Sequence, residues 1–192
     1  MIKLKAWRIA LGVGISVACI ACASMHRETI GGWMGAQPVI SNAKIYVLMT
    51  PDGVEREEGP AIGSGAAMTA AIREQLIRHG YTVVPGKETS AELALPAATT
   101  AQTTYILVST PTEWEDNLTE WSGKPDRAGL YVELYEVPSG QLVSTAKHRV
   151  VSSTSAWVSR ETDRFIPELA DQALAKLFGW QPTVATHNED VM

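Results

Sequence analysis

The segment Glu113-Trp-Glu-Asp-Asn-Leu-Thr-Glu-Trp-Ser-Gly-Lys-Pro-Asp-Arg127 concentrates the groups able to do chemistry, with two tryptophans and seven formally charged side chains in fifteen residues. Trp114 and Trp121 offer flat apolar faces, and Glu115, Asp116, Lys124, Asp126 and Arg127 offer charge-assisted hydrogen bonds. Rings framed by fixed charges suit a protein hot spot or a sugar ring. The same residues also admit a packing role, in which the tryptophans cap the open end of a sheet and the charges pair with one another or bond loop amides. Gly123 and Pro125 would then shape the turn. Glu113, Glu115, Asp116 and Glu120 include the two carboxylates a glycosidase needs. Carboxylates so close in sequence diverge along a strand or turn, and no pattern marks one as a proton donor, so an enzyme is not expected. The four histidines have no zinc-site spacing, and Gly63-Ser64-Gly65 lacks the lysine of a phosphate loop. Neither a metal nor a cofactor is expected.

The other chemically distinctive residue is Cys22. Lys3, Lys5 and Arg8 precede an uncharged run from Ile9 to Ile20 that ends in Ala21-Cys22-Ala23-Ser24. A basic start, a short apolar stretch and small residues read as an export signal over residues 1–21, too short for a comfortable membrane span. Cys19-Ile20-Ala21-Cys22 fits a lipobox, with Cys22 lipidated and becoming the new N-terminus. Ala21-Cys22-Ala23 also reads as an A-x-A site cleaved before Ser24, and an uncleaved signal anchor is a third route. All three leave the domain outside the cytoplasm. The lipid route is preferred because the cysteine stands where the apolar run ends, and Ala23 behind it, rather than Asp, favours the outer membrane with the domain facing the periplasm.

Cys19 and Cys22 are the chain's two cysteines, so the exported part has no internal disulfide and must rely on its core. Residues 44–179 suffice for one α/β domain. The formal net charge of −5 becomes three units more negative without Lys3, Lys5 and Arg8. An acidic body argues against nucleic acid or an anionic membrane surface as the main partner.

Around the charged segment the periodicity changes along the chain. Residues 22–43, rich in Gly and polar residues, read as a flexible tether. Lys44 to Thr50 reads as a buried first strand, and Pro51 to Gly63 as a charged surface loop. Gly63-Ser64-Gly65 opens a helix to about His79, with Ser64 as its cap and Gly80 as its stop. Its apolar face follows Met68, Ile72 and Leu76. Tyr81 to Val84 is a strand, Ser90 to Ala98 a short helix, and Thr103 to Ser109 a third strand, an alternation that implies a parallel sheet. Gly129 to Val137 and Gln141 to Ser155 form an antiparallel hairpin about Pro138-Ser139-Gly140. Ile166, Leu169, Ala170, Ala173, Leu174 and Leu177 repeat at helical spacing, with Pro167 in the first turn. Residues 180–192 read as a disordered tail. The expected fold is a mixed α/β sheet, parallel βαβ units followed by an antiparallel hairpin and a C-terminal helix.

Trp114-Glu115-Asp116, Thr119-Glu120-Trp121-Ser122-Gly123 and Pro125-Asp126 resemble the motif of an uncharacterised family of small Gram-negative envelope lipoproteins, as do Gly63-Ser64-Gly65 and Pro138-Ser139-Gly140. The resemblance spans most of Lys44 to Gly179 and implies the same envelope setting, with no activity to carry over. More remotely, the order of elements looks like the α/β domain of envelope lipoproteins that activate cell-wall synthases or build secretion assemblies, a likeness of fold alone. The expected function is therefore a lipid-anchored interaction or assembly module with an envelope protein as partner. A module binding cell-wall glycan or a small ligand is the alternative, and a periplasmic hydrolase the third reading.

Overall fold

The computed structural model describes residues 26–33, 39–56, 58–117, 124–152 and 162–183. Strand β1 (His26–Trp33) is followed by β2 (Lys44–Val47), a two-rung hairpin of β3 (Val54–Glu55) and β4 (Gly59–Pro60), and helix α1 (Ser64–Arg78). Then come β5 (Thr82–Pro85), α2 (Ala91–Thr100), β6 (Tyr105–Glu115), β7 (Arg127–Glu136), β8 (Leu142–Val151), a 3-10 turn at Thr162–Phe165, and α3 (Ile166–Phe178). The six-stranded sheet has the order β1-β8-β7-β6-β2-β5. β2 is parallel to both β5 and β6, and β6-β7-β8-β1 is an antiparallel meander.

Because the chain leaves β2 to one side for β5 and returns to the other for β6, α1 and α2 lie on opposite faces. On one face Met68, Ile72 and Leu76 of α1 and Leu169, Leu174 and Leu177 of α3 pack on Ile45, Val47, Leu107, Leu130, Val132 and Leu134. On the other, Ala94 and Ala98 of α2 cover Tyr46, Leu48 and Ile106. The small alanines let this short helix approach the sheet closely. The alternation expected of β7 is present: Leu130, Val132 and Leu134 are buried, while Tyr131, Glu133 and Tyr135 are half-exposed.

The mixed sheet, the hairpin and the closing helix agree with the sequence reading; the expected loop from Pro51 to Gly63 carries the β3-β4 hairpin, and four further details differ. Residues 26–33 are not tether but strand, paired rung for rung from His26↔Val151 to Trp33↔Ser144. Their glycines misled the composition argument. Gly31 (φ 109°) is required by close approach, since a Cβ there would overlap the Thr145 carbonyl oxygen. The helix start is capped by the preceding loop, not by Ser64. Asp52 Oδ1 accepts from the Gly63 and Gly65 amides at 3.1 and 2.8 Å, while Ser64 Oγ turns back to accept from the Gly53 amide at 2.9 Å. The third strand continues beyond Ser109 to Glu115. Finally, the start of the C-terminal tail is docked: the Thr183 amide and hydroxyl donate to the fully buried Asp171 carboxylate at 2.7 to 3.1 Å. Residues 1–21, Cys22 and residues 184–192 lie outside the described residues.

Candidate functional site

The extension of β6 decides which side chains of the charged segment face outward. Between Pro111 and Glu113 the register against β7 shifts by a bulge at Thr112, where Gly129 of β7 leaves room for the Thr112 hydroxyl. Beyond it the two-residue alternation resumes. It turns Trp114 into the core, 3% exposed, and places Glu113 and Glu115 on the other face. The Trp114 ring lies so close over the Gly53 backbone that a Cβ at residue 53 would overlap it. One ring proposed as a binding anchor is therefore sunk beneath the loop after β2, and Trp121 lies outside the described residues.

Asp126 is likewise withdrawn, at 1% exposed. Its Oδ1 accepts from the Asn117 amide at 3.0 Å and its Oδ2 from Arg164 at 3.2 Å, while its own amide donates to Ser152 Oγ at 2.8 Å. Through its carboxylate and backbone this one residue ties together the end of β6, the start of β7, the end of β8 and the 3-10 turn. Burial pushes its carboxyl above the ordinary aspartate value, partly offset by the Asn117 amide, Arg164 and Ser152.

The four remaining residues of the sequence-derived set, Glu115, Asp116, Lys124 and Arg127, line one cleft of about 340 Å³ together with Glu55, Arg56, Glu58 and Asn117. Arg127 donates to Glu115 Oε2 at 3.1 Å, and Arg56 Nε stands 3.6 Å from Glu115 Oε1. Glu115 is thus flanked by two guanidinium groups. Across the cleft, partial burial and then the carboxylates of Glu58, Asp116 and Asp163 push the Glu55 carboxyl above the ordinary glutamate value. The result is a trough whose walls carry both signs of charge, able to hold a partner bearing several charges of its own. Among the described residues none of the lining side chains is aromatic, and none form a cluster of His, Cys, Asp and Glu arranged to hold a metal ion.

The sequence reading missed Glu55, Arg56 and Glu58. They lie in the loop that follows β2, the strand at which the parallel order reverses, and ligands of open α/β sheets gather at the carboxyl ends of strands at such a reversal. The charged composition of residues 51–63 was visible, and its position after the first parallel strand was the signal that could have found it.

A second polar cluster lies on the α3 side of the sheet. Thr29 Oγ1 is 2.6 Å from His148 Nδ1, His148 Nε2 is 3.4 Å from Glu168 Oε1, and Arg27 Nε donates to that same oxygen at 2.5 Å. Hydroxyl, imidazole and carboxylate in series have the composition of a nucleophile relay. His148 is 1% exposed with both ring nitrogens engaged, so the cluster fastens β1 to β8 and α3.

A family model for a domain of unknown function (DUF4823) matches residues 37–185, and the chain belongs to that family. The match takes in the Trp114 to Arg127 segment and leaves out β1. Among solved structures, the chain is similar to the PelC dodecamer from Paraburkholderia phytofirmans at 16% identity and a TM-score of 0.58, covering 82% of this chain and 100% of that one. It is also similar to lipoprotein GNA1162 from Neisseria meningitidis, at 15% identity and a TM-score of 0.48 over 71% of this chain and 99% of that one. Protein XCC0632 from Xanthomonas campestris, of family DUF330, is similar at 12% identity and a TM-score of 0.46 over 75% and 89%. At 16% identity the likeness to the PelC structure is one of fold alone. No curated protein matches the chain.

Proposed function

We propose that this member of the DUF4823 family is a lipid-anchored envelope domain that works as an interaction module, taking a charged polypeptide segment of another envelope protein into the cleft between the β3-β4 hairpin and the β6-β7 connection. The observation that carries this reading is the lining itself: charges of both signs, supplied by three separate stretches of chain and converging on one 340 Å³ trough. Electrostatic complementarity of that kind sets specificity and orientation of a partner. Of the two rings able to stack on a sugar, Trp114 is withdrawn from the cleft into the core, which favours the charged contacts over a glycan. In this reading the lipid on Cys22 supplies the attachment; no helix among the described residues is long and apolar enough to cross a membrane. The PelC structure that shares the fold is a dodecamer, in keeping with a fold suited to protein contacts.

The test is in-cell photo-crosslinking from position 58, where Glu58 is exposed at the mouth of the cleft, in the otherwise native precursor. A discrete protein adduct that fades with Lys124→Glu is expected. Adducts to glycan alone, or the same adduct irrespective of Lys124, would remove the cleft as the docking site.

A further inference from the structure

The register of the sheet places the beginning of the domain and the cleft at the same end. His26, the first residue of β1, pairs with Val151, Val151 with Arg127, and Arg127 with Glu115. This row crosses β1, β8, β7 and β6 in one line. Glu115 is therefore three interstrand spacings, about 14 Å, from His26. The opposite end of the sheet, carrying the turn at 137–141, is a full strand away. For the ten residues of β8 that is about 30 Å.

Cys22 is four residues before His26. Even fully extended, the four residue steps from Cys22 to His26 reach about 14 Å. A domain attached to a bilayer through Cys22 cannot stand on its 137–141 end, because His26 would then be about 30 Å above the surface, twice the reach of the chain. The ion pair of Arg27 with Glu168 and the eight rungs between β1 and β8 keep this leash from lengthening. The tether expected from composition would have left the orientation open, whereas the strand removes that freedom.

Resting on the lipid-anchored reading above, we infer that the cleft-bearing end of the sheet faces the bilayer, so that the cleft takes a juxtamembrane segment of an integral membrane protein anchored in the same leaflet. The cleft's charges favour a polypeptide over a lipid headgroup. Glu115 sits between Arg56 and Arg127, with Glu55, Glu58 and Asp116 beside them, a sequence of alternating signs that a single phosphate cannot answer. The acidic balance of the chain likewise works against adsorption on anionic lipid. Val54, 67% exposed at the same hairpin, adds an apolar contact beside the charged ones.

Two measurements on the full-length lipidated protein decide the matter. First, a fluorophore at Glu58→Cys or at Ser139→Cys is compared in vesicles whose headgroups carry a nitroxide quencher. Several-fold stronger quenching at 58 than at 139 is expected, and equal or reversed quenching overturns the orientation. Second, photo-crosslinking from position 58 is repeated with a spacer of about 20 Gly/Ser residues inserted between Met25 and His26, which adds about 25 Å of reach and leaves Cys22 and its neighbours intact. Loss of an adduct to an integral membrane protein is the expected result. An adduct that survives the spacer overturns the membrane-surface partner, and an adduct to phospholipid alone replaces the protein segment with a headgroup. Quenching as expected with no protein adduct from either precursor sinks the interaction reading while the orientation stands.

Discussion

Arg27 in the first strand and Glu168 in the last helix meet in an ion pair of 2.5 Å across 141 residues of sequence, with both side chains largely buried. His148 and Thr29 extend the contact into β8 and back to β1. The pair closes the sheet's β1 edge on the layer of helices.

Removing the carboxylate leaves Arg27 and His148 without their shared acceptor. Glu168→Ala is expected to cost about 3 kcal/mol, the order found for breaking buried pairs, with β1 and β8 losing protection first. Urea unfolding together with amide exchange at Thr29 and Ala146 checks this. Unchanged protection in β1 would show that backbone pairing alone holds the strand.

The same carboxylate makes stability depend on acid. Burial by itself raises the Glu168 carboxyl, but hydrogen bonds from His148 and Arg27, with their charge, outweigh it and hold the group below the ordinary glutamate value. A lowered folded value means the contribution is present above the unfolded glutamate value and disappears as pH falls through the folded one. The urea midpoint should therefore fall below about pH 4.5, more steeply in the native chain than in Glu168→Gln. Equal acid slopes in the two proteins would assign the loss to other carboxylates.

Gly53 and Trp114 form the packing contact beneath the cleft. Gly53→Ala places a methyl into the indole ring and is expected to cost about 1 to 3 kcal/mol through overpacking. Trp114→Ala should cost about 3 to 5 kcal/mol through the cavity it leaves. Thermal unfolding gives both, and a Trp114→Ala chain as stable as the native one would contradict the burial of the ring.

Asp126 predicts a local effect. Asp126→Ala strips the Asn117 amide and Arg164 of their acceptor and should cost about 3 kcal/mol, with faster exchange at Asn117 and weaker partner capture from position 58. Capture lost without any change in exchange would instead make Asp126 a direct contact.

Much of the candidate site was legible in sequence because charge density is a local property. Glu115, Asp116, Lys124 and Arg127 were recognised from their crowding, and all four line the cleft. Glu55, Arg56 and Glu58 were not, since what brings them there is the folding of the loop after β2 against the end of β6, a contact between segments some sixty residues apart. Trp114 faced inward for a reason no pattern displayed. A single bulge at Thr112 resets the alternation, and one residue of register decides between core and surface.

The sequence by itself determined the helices, the parallel-then-antiparallel order and the closing helix, because apolar period, glycine stops and the Pro138-Ser139-Gly140 turn act within a few residues of one another. Ser90 capping α2 through the Leu93 amide and Gly179 ending α3 with φ 77° are of this kind. Tertiary structure decided that residues 26–33 are a strand. His-Arg-Glu-Thr-Ile-Gly-Gly-Trp has weak intrinsic preference for one, and its stability comes from β8 and Glu168, more than a hundred residues away. That non-local pairing shortens the stretch between Cys22 and the domain to three residues and sets which end of the sheet a lipid on Cys22 would hold against the membrane.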